Sequence, residues 1–126
     1  DFAVNIPGED HVESVDICGK YTGRGEDKFE LSGLTRGKAN KIDAPLIAEY
    51  PVNLECVIKE RHPLGSHTLY IGEIVDVHID ESMIDSNGIV NINAINPISY
   101  IPKSGKYYKL GEALADSGFS KRPDKK

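Results

Sequence analysis

Tryptophan is absent from this 126-residue chain, methionine occurs once, and cysteine only twice, as Cys18 and Cys56. With no Cys-x-x-Cys pair and no Cys/His ligand cluster, the thiols have the profile of a reduced cytoplasmic protein, and neither a disulfide framework nor a zinc framework is indicated. No apolar run approaches the ~18 to 20 residues that a membrane span needs. The N-terminus lacks the charged and apolar regions of a signal peptide, so neither export nor membrane insertion is expected. Asn-x-Ser/Thr sequons, P-loop, HExxH and GxSxG sequences are all missing. Gly23-Arg24-Gly25 begins like a dinucleotide fingerprint, but Lys28 stands where the third glycine belongs and no strong strand precedes it, so that reading is set aside. Excess positive charge is lacking too. Fifteen Lys plus Arg against twenty Asp plus Glu leave a net charge of −5. The tail Lys121, Arg122, Asp124, Lys125, Lys126 holds four basic and one acidic group, +3, so residues 1–120 carry −8. A nucleic-acid partner is therefore not expected.

What is present is ordinary for one folded domain: 39% hydrophobic and 28% charged residues. A chain of this length buries roughly two thirds of its unfolded surface and can support its own core. We read residues 1–120 as part of a single domain and 121–126 as a solvated basic tail. The chain has no initiator Met and opens on Asp1-Phe2-Ala3-Val4-Asn5-Ile6-Pro7, which reads as the middle of a strand and suggests a fragment.

Phe2 to Ile6 alternates and stops at Pro7-Gly8, as a strand does. Glu9 and Asp10 suit a helix N-terminus, Val12, Val15 and Cys18 share one face, and Gly19 supplies a stop, which predicts helix over 9–18. Residues 19–44 carry five glycines between charges and read as a long loop of the kind that is often functional. Val52, Leu54, Cys56 and Ile58 alternate with Asn53, Glu55, Val57 and Lys59 in a half-buried strand. A turn over Arg61 to His67 then leads to the strongest strand, Thr68 to Ile79. Leu69, Ile71, Val75, Val77 and Ile79 fall on one parity there, and Glu73 interrupts it, which predicts an edge, a barrel mouth or a paired interface at that charge. Asp85-Ser86-Asn87-Gly88 is a turn. Ile89, Ile92 and Ile95 suggest a short helical or irregular layer over the core. Ile98 to Tyr100 and Lys106 to Leu110 form a last pair of strands, and Gly111 to Gly118 one more helical turn. Strands joined by tight turns, with few and short helices, predict a mainly β barrel with peripheral helices.

Candidate site residues are few. His62, His67 and His78 lack metal-helix spacing, so no metal is expected. Lys28, in the glycine-rich segment beside Asp27, suits a phosphate or an electron-rich ring edge, against the plainer reading of an exposed lysine paired with Asp27. Tyr100, Tyr107 and Tyr108 offer aromatic surface, although tyrosines at a core edge are the usual case. Cys56 lies on the apolar face of its strand and reads as structural.

Taken in order, several segments resemble the flavin reductase-like proteins of the flavoredoxin type. They are Phe2-Ala3-Val4-Asn5-Ile6-Pro7, Cys18-Gly19, Gly23-Arg24 leading to Asp27-Lys28-Phe29, Gly33-Leu34-Thr35, Ala44-Pro45-Leu46-Ile47 and Pro51-Val52-Asn53-Leu54-Glu55-Cys56. Gly65-Ser66-His67 running into Ile71-Gly72-Glu73-Ile74-Val75, Pro97-Ile98 to Tyr100, and Tyr107-Tyr108-Lys109-Leu110-Gly111 complete the series. The resemblance implies an FMN-binding split β-barrel acting as a homodimer, with non-covalent flavin near the subunit interface and NAD(P)H as electron donor. It further implies that Lys28, His67, Tyr100 and Asn5 lie near the flavin, His67 as the catalytic candidate. Family members carry earlier strands upstream of Phe2, so the split barrel is expected to be incomplete at its N-terminus. The alternative is a cofactor-free split-barrel module that dimerises.

Overall fold

The computed structural model describes residues 1–121. The element order is β1 (Phe2–Ile6), a 3-10 turn at Glu9–His11, α1 (Val12–Lys20), α2 (Lys28–Ser32), β2 (Arg36–Gly37), β3 (Leu46–Ile47), β4 (Val52–Leu64) and β5 (His67–Ile79). A second 3-10 turn (Glu81–Met83), α3 (Ile92–Ile95), β6 (Ile98–Ile101) and β7 (Lys106–Lys109) follow. The chain is mainly β with short helices, in agreement with the sequence. Among the described residues no helix is long and apolar enough to cross a membrane.

The central sheet has the order β1-β4-β5, all antiparallel, while β2-β3 and β6-β7 form separate two-stranded ribbons. Phe2 opposes Cys56 and Asn5 opposes Asn53 across β1 and β4. Across β4 and β5, Asn53 opposes His78 and Glu55 opposes Asp76, but Cys56 opposes Ile74, so Val75 is left unopposed as a bulge. That single insertion corrects the reading of Glu73. Because a one-residue slip exchanges the faces of a strand, Ile74 and Gly72 join Val77 and Ile79 on the face of Val52, Leu54 and Cys56, while Glu73 moves to the other face opposite Val57. There Glu73 is exposed and pairs with Lys59 at 2.5 Å on the outer strand of the sheet.

Several predicted boundaries shift. The helix expected over 9–18 runs through Gly19 to Lys20 and ends where the Tyr21 N–H reaches the Ile17 carbonyl. The expected loop 19–44 contains α2 and β2. Asp27 caps α2 by accepting the Phe29 N–H, and Gly33, at φ +68°, closes it. The hairpin turn is only Gly65-Ser66, with Gly65 at φ +74°, so both strands extend into the segment read as Arg61–His67 turn. Of the three isoleucines at spacing three, only Ile95 is buried. The predicted β6–β7 pair forms, with Tyr100 opposite Tyr107. Gly111 to Gly118 contains no helix, only a turn that begins at Ser117. Of the basic tail, Lys121 is exposed and residues 122–126 lie outside the described residues.

The buried apolar side chains are Leu46, Tyr50, Val52, Cys56 and Ile95. Cys56 is thus structural, as its strand position implied, and both cysteines are free thiols. The β4–β5 hairpin projects past the end of β1 as an arm whose Leu64, Leu69, Tyr70 and Ile71 are all exposed.

Candidate flavin pocket and the clamp behind it

Four elements converge behind β1. Asn5 comes from β1, Cys18 from the last turn of α1, Lys28, Phe29 and Ser32 from α2, and Ile47 from β3; with Leu34 and Pro45 they line a pocket of about 200 Å³. The local sequence explains why these residues meet. Asp27 starts α2, and Arg36 fixes that start from β2 by an ion pair to Asp27 at 2.5 Å and by lying 4.4 Å over the Phe29 ring. The Arg36 side chain, with the Phe29 and Glu30 amides, holds the Asp27 carboxyl below its usual range. Within α2, the Ser32 hydroxyl donates to the Lys28 carbonyl at 2.6 Å.

Lys28 is not a free loop cation. Its ammonium donates to the Cys18 carbonyl at 2.6 Å, one of the carbonyls that the end of α1 leaves without an intrahelical partner. An ammonium has three protons, and two remain for other acceptors. Asn5 Oδ1 accepts the Ile47 N–H at 3.2 Å, and Asn53 Oδ1 shares that proton at 3.4 Å. The Asn5 amide nitrogen has no protein acceptor among the described residues, and since no buried side-chain polar atom is unpaired, it is open to solvent. The pocket therefore offers an ammonium and an amide donor against an apolar wall of Phe29, Leu34, Pro45 and Ile47. A wider groove of about 500 Å³ between α1 and α2 is lined by Asp10, Glu13, Glu30 and Glu49. Four carboxylates make it hostile to an anionic ligand.

Two of the four expected site residues, Asn5 and Lys28, thus share one pocket. The other two stand apart in this chain. His67 begins β5 opposite Leu64, eleven residues along β4 from Asn53, the partner of Asn5, which is roughly 36 Å of extended strand. It is exposed, and its Nδ1 lies 2.8 Å from the Ser66 hydroxyl. Tyr100 stacks on Tyr107 with ring centroids 5.0 Å apart. That hairpin reaches α1 through the Tyr107 hydroxyl, which donates to Asp16 at 2.9 Å. Asp16 and Cys18 are two residues apart on α1 and do not face the same way, so the tyrosines and the pocket occupy different sides of that helix.

One polar cluster was not visible in the sequence. Glu55 is fully buried. Its Oε1 accepts the Asn40 N–H at 2.7 Å and its Oε2 the Lys41 N–H at 2.6 Å, while His78 Nε2 lies 2.5 Å from Oε1. Asp76 accepts from the Asn40 side chain at 3.0 Å. Burial pushes the Glu55 carboxyl up, but the Asn40 amide, the His78 ring and the Lys41 amide outweigh it and leave it below its ordinary value. Asp76 is lowered by the Asn40 side chain and the Val77 amide. Ligand atoms of Glu55, Asp76 and His78 fall within 4.8 Å of one another, and these are donor types that hold metals. Both Glu55 oxygens are already engaged, however, so the group reads as a hydrogen-bonded clamp. His62 and His67, the other histidines weighed for metal, are not in it. The register Asn53↔His78 and Glu55↔Asp76 assembles the cluster, and only the bulge-free part of the hairpin makes that pairing predictable.

Residues 1–106 match the family model described as flavin reductase like domain. Among solved structures, the flavoredoxin of Desulfovibrio vulgaris (Miyazaki F) is 36% identical and superposes with a TM-score of 0.86 over 94% of this chain and 63% of that one. A split-barrel-domain protein of Shewanella frigidimarina is 24% identical, with a TM-score of 0.73 over 90% of this chain and 58% of that one, which speaks for the fold alone. Among sequences, an uncharacterized protein of Archaeoglobus fulgidus is 30% identical over 79% of this chain and 56% of its own length. The chain spans about half the length of the curated relatives it matches. The fold is that of the split-barrel flavin reductases, and the chain belongs to the flavin reductase like domain family.

Proposed function

We propose that this chain is the flavin-holding part of an oxidoreductase that binds FMN without a covalent bond, takes electrons from a reduced nicotinamide nucleotide and passes them to an acceptor. The observation that carries this reading is the convergence of Asn5 and Lys28 on one pocket within the family match. When bound, the flavin supplies the hydride and electron transfer, and the protein supplies position and charge. The donor set fits the electron-rich edge of the flavin: Lys28 has two protons to offer to a ring oxygen or phosphate, and the Asn5 amide nitrogen has no protein acceptor among the described residues. A cation at the pyrimidine end of the ring stabilises negative charge that develops there on reduction. At about 200 Å³ the pocket is below the roughly 300–1,000 Å³ of drug-sized ligand sites, so it would hold part of an FMN molecule and not the whole.

His67 does not reach the pocket of its own chain, and in this reading a second copy brings its hairpin tip to the flavin. The exposed apolar residues of the β4–β5 arm support a homodimer with that geometry. His67 then hydrogen-bonds the flavin or positions the nicotinamide donor. Tyr100 is the weakest member of the set and is assigned to the surface beside α1. Two free thiols fit a cytoplasmic setting.

The test is an FMN titration followed by quenching of flavin fluorescence. Saturable quenching with one flavin per chain is expected. Protein that stays colourless and ignores added FMN would move the chain to a cofactor-free module that dimerises. For flavin-binding protein, NADH oxidation with and without excess free FMN separates a reductase that releases reduced flavin from a carrier that keeps it.

A further inference from the structure

The polar side chains of the central sheet form a row on one face. Asn5, Asn53 and His78 are in register across β1, β4 and β5, and Ala3, Glu55 and Asp76 form the adjacent row. Segment 38–47 crosses this row. Its backbone is tied down at Asn40 and Lys41 by Glu55, at Asp43 by the Asp1 carboxylate at 2.8 Å, and at Ile47 by Asn5 and Asn53. The same segment ends in Pro45 and Ile47, which line the pocket. From Lys38 to Pro45 the segment has no regular structure and is held by side chains, with only Leu46–Ile47 joining the β2 ladder, and the side chain with most contacts is a carboxylate with no exposed surface.

We infer that Glu55, supported by His78, is a positioning residue that fixes segment 38–47 and through it the Pro45–Ile47 wall of the pocket. The inference deepens the flavin reading and rests on it only for the consequence on cofactor binding. The physical basis is the asymmetry of buried polar groups: an ionised carboxylate that loses donors is costly, so the segment and the sheet hold one arrangement together. His78 is half-buried and closes the third position on Glu55, while Asn40 ties the same segment to Asp76.

Amide hydrogen exchange on the intact chain tests this without flavin. In Glu55→Gln, an NH2 group replaces one acceptor and faces a backbone N–H. Protection of the Asn40, Lys41 and Ile47 amides is expected to fall together by at least about tenfold, as for one lost hydrogen bond to a charged group. Protection of Val4 and Leu54, paired across β1 and β4, is expected to hold. His78→Leu should give a smaller loss with the same pattern, and His78→Gln, which keeps an N–H donor, should restore protection. If Glu55→Gln does not fold, His78→Leu and Asn40→Ala carry the same comparison. The inference is overturned if Asn40 and Lys41 lose protection while Ile47 keeps it, or if the whole sheet loses protection equally. In a second arm, FMN affinity of the same variants should weaken in step with Ile47 exchange. If affinity is unchanged while Ile47 is deprotected, the link to the pocket fails. If the parent chain binds no FMN, the flavin reading fails and the exchange result alone decides the clamp.

Discussion

Gly72 is the position where packing of the central sheet can be tested most sharply. A Cβ at this residue would lie 2.6 Å and 2.7 Å from two atoms of the Phe2 ring and 3.3 Å from Cys56 Cβ. Carbon atoms in contact prefer about 3.5–4.0 Å, so the ring must move by roughly 1 Å for Gly72→Ala to be accommodated. Overpacking of this kind costs about 1–3 kcal/mol. In a Phe2→Ala background the ring is gone, the remaining contact with Cys56 is only slightly tight, and the stiffer alanine offsets the loss by up to about 0.5–1 kcal/mol. A double-mutant cycle on Phe2 and Gly72 should therefore show a coupling of about 2 kcal/mol. Urea unfolding followed by far-UV circular dichroism measures it, since the chain has no tryptophan to report by fluorescence. An equal cost of Gly72→Ala in both backgrounds would refute the packing of Phe2 over β5. The functional consequence follows from β1 itself: Phe2 anchors the strand that delivers Asn5 to the pocket, so displacement of the ring should also weaken FMN binding.

Other expectations come from single contacts. Glu55, Asp76, Asp27, Glu49 and Asp80 all have folded-state pKa values below the ordinary 3.8 or 4.5. A depressed folded pKa means that the stability is fully present above the unfolded value and disappears as pH falls through the folded one, so the urea midpoint should decline below pH about 4.5. Tyr50, chiefly through burial, is raised above 10.0, so its contribution is complete below that pH and is lost as pH climbs past it. Ile95→Val should cost about 0.5–1.5 kcal/mol and Ile92→Val much less, because only Ile95 is buried. Asn91→Ala removes the acceptor of the Ala94 N–H at the start of α3 and should cost about 1 kcal/mol in the same assay. Lys28→Ala should weaken FMN about tenfold and raise amide exchange at the end of α1. Unchanged FMN affinity would leave Lys28 as a helix cap alone.

How much of this was legible in the sequence depended on whether the signal was local. β1, the β4–β5 hairpin and the β6–β7 pair carry their own alternation and turn residues and were readable. The start and stop of α2 were written in Asp27 and Gly33, but five glycines in residues 19–44 masked a five-residue helix too short to show periodicity. β2 and β3 are two residues each and exist because Thr35, Glu49 and Asn5 hold them, which no local pattern encodes. The bulge at Val75 leaves no signature in composition, and missing it put Glu73 on the wrong face. Lys28 stood out by its place in the glycine-rich segment and was placed near flavin by the family resemblance, which alone pointed to Asn5. Glu55 and His78, 23 residues apart, required the strand register.

The central claim is that the Asn5–Lys28 pocket receives flavin, and the most direct measurement is an amide and side-chain NMR titration of the chain with FMN. The account predicts that the Asn5 side-chain NH2 and the Phe29, Ser32 and Ile47 amides shift first and saturate together. Saturable shifts confined to Tyr100 and its β6–β7 neighbours, with Asn5 and Ile47 unmoved, would contradict it.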